Sequence, residues 1–258
     1  MVGQHGFKLG VPPSLGREPA WAIARDLAAL LDSAGFATIV PHKSYEELEG
    51  QLTSGAVDVA WCPPIVCARM ELAGGAVLLR GVRGDERTYR AAIVIRAQDR
   101  FTLDTLAHGT FRPRAAWVDR ASVGGYLLPR AHLRGLGLDL ERAFIQQQVL
   151  GSYGACLDAL LAYEADISAL FVRARGLPAE WGPRARRLKT LALTDEVPND
   201  GVVLSPALPP DRAALLREKL ARVLAIGALR AQLTAMFNVD DFDEPAAGTY
   251  APVLKLYE

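Results

Sequence analysis

The chain has 258 residues, 29 Lys plus Arg against 29 Asp plus Glu, and half of its residues are apolar. That length suits one large domain or two lobes, and zero net charge excludes a general nucleic-acid binder, whose phosphate contacts need a basic surface. High hydrophobicity without net charge excludes disorder, three cysteines are too few for a disulfide framework, and no apolar run reaches the roughly 18 residues that span a bilayer.

The first ten residues carry no basic start, apolar core and small-residue cleavage site, so no secretory signal is visible. This implies a cytoplasmic chain, or a periplasmic or cell-surface one from which a signal was removed. Phe7 to Val11 predicts a first strand, broken by Pro12-Pro13-Ser14. A helix follows from about Glu18, with Trp21, Ala24, Leu27, Ala28, Leu31 and Ala34 on one face and Gly35 as its stop. Phe36 to Val40 predicts a strand. Ser44 and Glu47 form a capping box that opens a helix through Leu48 and Leu52. Val57 to Trp61 predicts the next strand, ended by Pro63-Pro64, and a helix through Ile65, Ala68 and Met70 stops at Gly74-Gly75. Strands at Ala76 to Leu79 and Tyr89 to Arg96 complete this half.

A second α/β unit follows. Strands are expected at Ala115 to Val118, Phe144 to Leu150, Asp166 to Val172 and Leu188 to Leu193, with a helix at Ala155 to Tyr163. From Pro209 the pattern becomes helical. Strands alternating with helices over short loops predict a mainly parallel sheet, whose ligands sit beyond the carboxyl ends of the strands. The loops at Pro12 to Ser14, at Trp61 to Pro64 and after Val118 are therefore the ones to watch.

Asp119 to Gly125 is the strongest local signal. Ser122 caps the helix that follows, and the glycines let backbone N–H groups approach an anion. Cys62 and Cys67 have no partner at zinc-site spacing and are expected as buried small hydrophobes. Asp240, Asp241, Asp243 and Glu244 match no calcium loop and predict a solvated acidic turn. Arg184, Arg186, Arg187 and Lys189 predict exposed charge beside a strand. Phosphate-loop and nucleophile-elbow motifs are absent. No cofactor or metal is implied.

Five segments, in order, resemble the phosphate/phosphite/phosphonate-type solute-binding proteins of ABC importers. Val57 to Trp61 is similar to the strand before that family's first ligand loop. Thr88 to Ile95 resembles its first crossover strand, with an aromatic ligand contact at Tyr89. Asp119 to Pro129 resembles its Asp-Pro-x-Ser-Thr-Ser-Gly turn, Gly151 to Tyr153 with Tyr163 to Ala169 its next loop and strand, and Thr194 to Asp200 its return strand. The resemblance implies a type II periplasmic-binding-protein fold: two α/β lobes, joined by two crossover strands, with a ligand cleft between them. Residues 1–91 form the first part of lobe one, 92–199 lobe two, and 200–258 the return strand and C-terminal helices on lobe one.

The implied ligand-binding residues are Ser14, Trp61, Cys62, Tyr89, Ser122, Val123, Gly124, Gly125, Tyr153, Arg173 and Asp200, with no catalytic residue. Trp61 and Tyr89 are expected as flat walls lining one pocket with Ser122, Gly124, Gly125 and Tyr153. The departures shape the ligand. Ser122-Val123-Gly124-Gly125 lacks two of the family's hydroxyls, Tyr153 replaces its histidine, and Arg173 stands where aminoalkylphosphonate binders carry a glutamate. An inward Arg173 would favour a carboxylate over an ammonium. The implied function is non-catalytic binding of a small anionic ligand, for an ABC permease or as a sensor, without nucleic acid or membrane insertion. The alternative is a cytoplasmic enzyme of the same fold acting on a small carboxylate-bearing substrate.

Overall fold

The structure is a computed structural model and describes residues 6–12, 36–174 and 176–257. Ser14 and the helix expected from Glu18 lie outside the described residues. The chain divides into two compact units, Met1–Arg87 with Pro198–Leu254, and Thr88–Val197 with Lys255–Glu258.

The first unit opens with β1 (Phe7–Val11), parallel to β2 (Phe36–Pro41) and β3 (Val59–Cys62). Between β2 and β3 runs α1 (Tyr45–Thr53), which begins where the capping residues place it. The Glu47 N–H donates to Ser44 Oγ at 3.1 Å, and the Glu47 carboxylate accepts from the Lys43 N–H at 2.7 Å. α2 (Pro64–Leu72) starts on a proline, whose missing N–H costs nothing in a first turn, and β4 (Ala76–Val82) follows.

The second unit holds β5 (Thr88–Arg96), α3 (Leu103–Ala107), β6 (Arg114–Trp117), α4 (Leu128–Gly135), α5 (Leu140–Ala143), β7 (Gln146–Val149), α6 (Tyr153–Leu161), β8 (Ile167–Val172), α7 (Leu177–Trp181), β9 (Leu188–Leu193) and β10 (Val197–Pro198). Its sheet runs β10-β5-β8-β6-β7, with β9 also on β5. β5 is buried on both sides. Ala92 and Val94 pack with Leu157 and Leu160 of α6, while Ile93 and Ile95 pack with Trp117 and Leu133, the period-two alternation of a strand covered on both faces.

The chain then returns to the first unit as β11 (Gly201–Leu204), which runs antiparallel between β3 and β4. α8 (Pro210–Ala225) and α9 (Gly227–Phe237) cover one face of that sheet, and β12 (Asp241–Asp243) closes its edge against β4. Both sheets are therefore mixed rather than mainly parallel. Of the acidic run predicted as a solvated turn, Asp241 and Asp243 lie in this edge strand, whereas Asp240 and Glu244 lie outside it and are exposed. Arg80 holds Asp243 through two hydrogen bonds of 2.9 and 2.7 Å, and Arg87 adds a third at 2.6 Å, so two arginines neutralise this carboxylate.

Candidate functional site

Chain direction gathers the site. β6, β7 and β8 run parallel, so their carboxyl ends share one edge of the second sheet. β5 runs antiparallel to β8, which brings its amino end, and Tyr89 with it, to the same edge.

β6 leads into a tight turn in which Asp119 accepts from the Ala121 N–H at 2.8 Å through Oδ1 and from the Ser122 N–H at 3.0 Å through its carbonyl. Ser122 is extended (φ −71°, ψ 117°) and its Oγ accepts from the Gly125 N–H at 3.1 Å. The helix opens with a wide turn, Val123–Leu127, closed by the Leu127 N–H on the Ser122 carbonyl at 3.0 Å, and continues as α4. Helix geometry supplies the first amides with no acceptor. Those of Val123 and Gly124 have none among the described residues.

At the end of β7, the Gly151 N–H donates to the Val118 carbonyl at 2.8 Å, with Gly151 at φ +81°. This tie carries the chain back beside the Ser122 turn. Ser152 caps α6 by accepting from the Ala155 N–H at 3.1 Å, so the helix begins at Tyr153 rather than at the expected Ala155. The Tyr153 hydroxyl then lies 3.5 Å from Ser122 Oγ. A Cβ on Gly124 would stand 2.8 Å from that hydroxyl and 3.0 Å from Tyr89 Cε2. Gly124 is thus a glycine because two tyrosines close over it. Tyr89, Ser122, Val123, Gly124, Gly125 and Tyr153 all belong to the second unit and are brought together there.

The remaining predicted residues are placed differently. Trp61 is a core residue, not a wall. Its indole stacks on Phe237 with centroids 4.4 Å apart and planes within 9°, and Phe242 meets it edge-on at 6.2 Å. β3 alternates, so Trp61 and Val59 turn towards α8 and α9. Cys62 turns to the other face, fully buried, and its backbone carbonyl accepts from Cys67 Sγ at 3.4 Å. Burial, with the Asp200 and Glu49 charges, pushes its thiol well up. Asp200 lies in the first unit, 3.6 Å from Arg83. Burial raises its carboxyl above the usual range, although Arg83 pulls the other way.

Arg173 overturns the expectation built on it. Its Nε donates to Glu180 Oε1 at 2.8 Å and its Nη2 to the other carboxylate oxygen. A guanidinium whose fork is filled by a carboxylate adds no net charge for a ligand to meet. The predicted preference for a carboxylate ligand therefore loses its basis. Sequence reasoning also missed Phe171 and Trp181, which flank Tyr153 with ring centroids 5.3 Å from it in each case.

A family model described as ABC transporter, phosphonate, periplasmic substrate-binding protein matches residues 24–250. Among curated proteins there is no match. The fold is shared with a binding protein component of an ABC phosphonate transporter from Pseudomonas aeruginosa, at 16% identity and TM-score 0.77, over 97% of this chain and 85% of that one. A Prochlorococcus marinus protein in complex with methylphosphonate gives 16% identity and TM-score 0.76, over 98% of this chain and 97% of that one. The aliphatic sulphonate binding protein of Escherichia coli gives 14% and 0.55, over 97% and 82%. The fold is that of type II periplasmic binding proteins. The chain belongs to the phosphonate-type periplasmic substrate-binding family of ABC transporters, and its role is solute binding; the family match gives no support to the enzyme alternative.

Proposed function

We propose that this member of the family binds a small oxyanion of the alkylphosphonate class in the periplasm and presents it to an ABC permease. One observation carries the reading: the hydroxyls of Ser122 and Tyr153 converge beside the N–H groups of Val123 and Gly124, which have no acceptor among the described residues. Such donors suit a phosphonate head, since a helix N-terminus favours negative charge and each hydrogen bond to an ionised oxygen is stronger than a neutral one. Tyr153 supplies a hydroxyl to a turn that has lost two. Tyr89 adds a flat ring for the ligand's organic portion.

Calorimetry of the purified protein with methylphosphonate, phosphite, inorganic phosphate, 2-aminoethylphosphonate and acetate tests this. Tight binding of one of the tetrahedral anions, with acetate at least a hundredfold weaker, is the expected result. A preference for acetate, or no binding to any of the tetrahedral anions, would overturn it. A permease and an ATPase encoded beside the gene would support the transport role.

A further inference from the structure

The Arg173–Glu180 pair sits at the carboxyl end of β8, the edge that carries the candidate site. Glu180 is nearly closed to solvent, with 5% of its side chain exposed, and Arg173 keeps 21%. A fork-to-fork pair of this kind fixes two backbones at a set distance. Here it joins the end of β8 to α7, a helix of five residues that has no side-chain cap and starts from Gly176 at φ +78°. So short a helix cannot hold its own position.

The residue after Glu180 is Trp181. Its Nε1 donates to the Phe171 carbonyl at 2.9 Å, and its ring lies 4.7 Å from Phe171 and 5.3 Å from Tyr153. Phe171 meets the Tyr153 ring edge-on. Tyr153 is therefore held between two aromatic rings, with its hydroxyl 3.5 Å from Ser122 Oγ. We infer that Arg173 and Glu180 are positioning residues: their ion pair anchors α7, which sets Trp181 against Tyr153 and so aims the Tyr153 hydroxyl at the anion site. This replaces the role expected of Arg173, contact with the ligand, by one exerted through three side chains.

The affinity arm of the test rests on the phosphonate reading, whereas a spectroscopic arm does not. Near-ultraviolet circular dichroism reports the Tyr153–Trp181 contact without ligand, and its band is assigned by its loss in Trp181→Leu. Glu180→Ala is expected to diminish that band and to weaken methylphosphonate binding about tenfold. Glu180→Gln keeps one acceptor oxygen for Arg173 but neither the fork nor the charge, and is expected to diminish both less than Glu180→Ala does. If Glu180→Ala does not fold, Arg173→Lys, which replaces the fork by a single contact, is read in the same way. A lower melting temperature with band and affinity unchanged would overturn the inference and leave the pair a stabilising contact only. Should the unaltered protein bind phosphite or phosphate but no methylphosphonate, that anion replaces it in the affinity arm; should it bind none of the tetrahedral anions, the ligand reading fails, and the band alone decides the positioning role.

Discussion

The hydroxyls of Ser122 and Tyr153 lie 3.5 Å apart, although 31 positions separate them in the chain. Each is delivered by a different parallel strand. Ser122 Oγ accepts from the Gly125 N–H, and a hydroxyl that accepts one hydrogen bond still carries a proton to donate. Tyr153→Phe should therefore weaken methylphosphonate binding by about ten- to a hundredfold, the loss of one hydrogen bond to a charged oxygen. Stability should change little, because the ring and its packing against Phe171 and Trp181 remain. Titration calorimetry beside a thermal melt separates the two effects. Unchanged affinity would remove Tyr153 from the site.

Gly124 gives a steric test of the same spot. A methyl there would approach the Tyr153 hydroxyl to 2.8 Å and Tyr89 to 3.0 Å, and both rings would have to move. Gly124→Ala is expected to destabilise by about 1–3 kcal/mol and to reduce phosphonate affinity more than tenfold. Gly125→Ala differs in kind. Its Cβ would stand 2.4 Å from Val118 Cγ2, inside the core below the turn, so its larger effect should fall on folding, measured by urea denaturation. Equal losses of affinity for equal losses of stability in the two variants would show that Gly124 is structural as well.

Asp166 predicts a pH dependence of stability. Burial pushes its carboxyl up, but hydrogen bonds from Arg114 and Arg96 outweigh this and hold it well below the usual carboxylate range. A depressed folded-state pKa stabilises the fold above the unfolded value of about 3.9, and that stability disappears as pH falls towards the folded value. Arg96 is itself buried, and without Asp166 its charge is balanced by Asp99, 3.0 Å away. Asp166→Asn is expected to cost about 1–3 kcal/mol at pH 7, with the gap to the unaltered protein narrowing below about pH 4. Urea denaturation at pH 7, 5 and 3 gives the answer. A gap that stays constant with pH would place the effect in packing rather than in the carboxylate charge.

What the sequence made legible was local. Caps at Ser44 and Ser122 act on N–H groups three residues on, and short-range spacing records them. A continuous apolar run, Ala91 to Ile95, recorded β5, whose neighbours cover both faces. Long-range pairings left no such trace. The Arg173–Glu180 fork spans seven residues across a glycine turn that is neither helix nor strand, so no periodicity relates the two residues. The acidic run at Asp240 to Glu244 has a turn's composition, and only the distant arginines Arg80 and Arg87 make it a strand edge. Trp61 shows the same limit. An aromatic residue before Pro63-Pro64 looks placed for a ligand, yet alternation along β3 turns it towards α9, which the chain supplies only after its excursion through the second unit.

Trp61 is therefore expected to behave as a core residue and not as a ligand contact. Its ring stacks on Phe237, meets Phe242, and closes over Gly81, where a Cβ would stand 2.7 Å from Trp61 Cη2. Truncating a buried aromatic removes its transfer free energy and leaves a cavity that the neighbours fill only in part, so Trp61→Ala should cost about 3–5 kcal/mol. Trp61→Phe keeps a ring on Phe237 and should cost less than half of that. Urea denaturation gives the stability change. Calorimetry with methylphosphonate, at a temperature where both variants are folded, should find affinities within about threefold of the unaltered protein. A Trp61→Phe variant that stays stable yet loses binding tenfold or more would return Trp61 to the ligand and contradict the placement of its indole in the core.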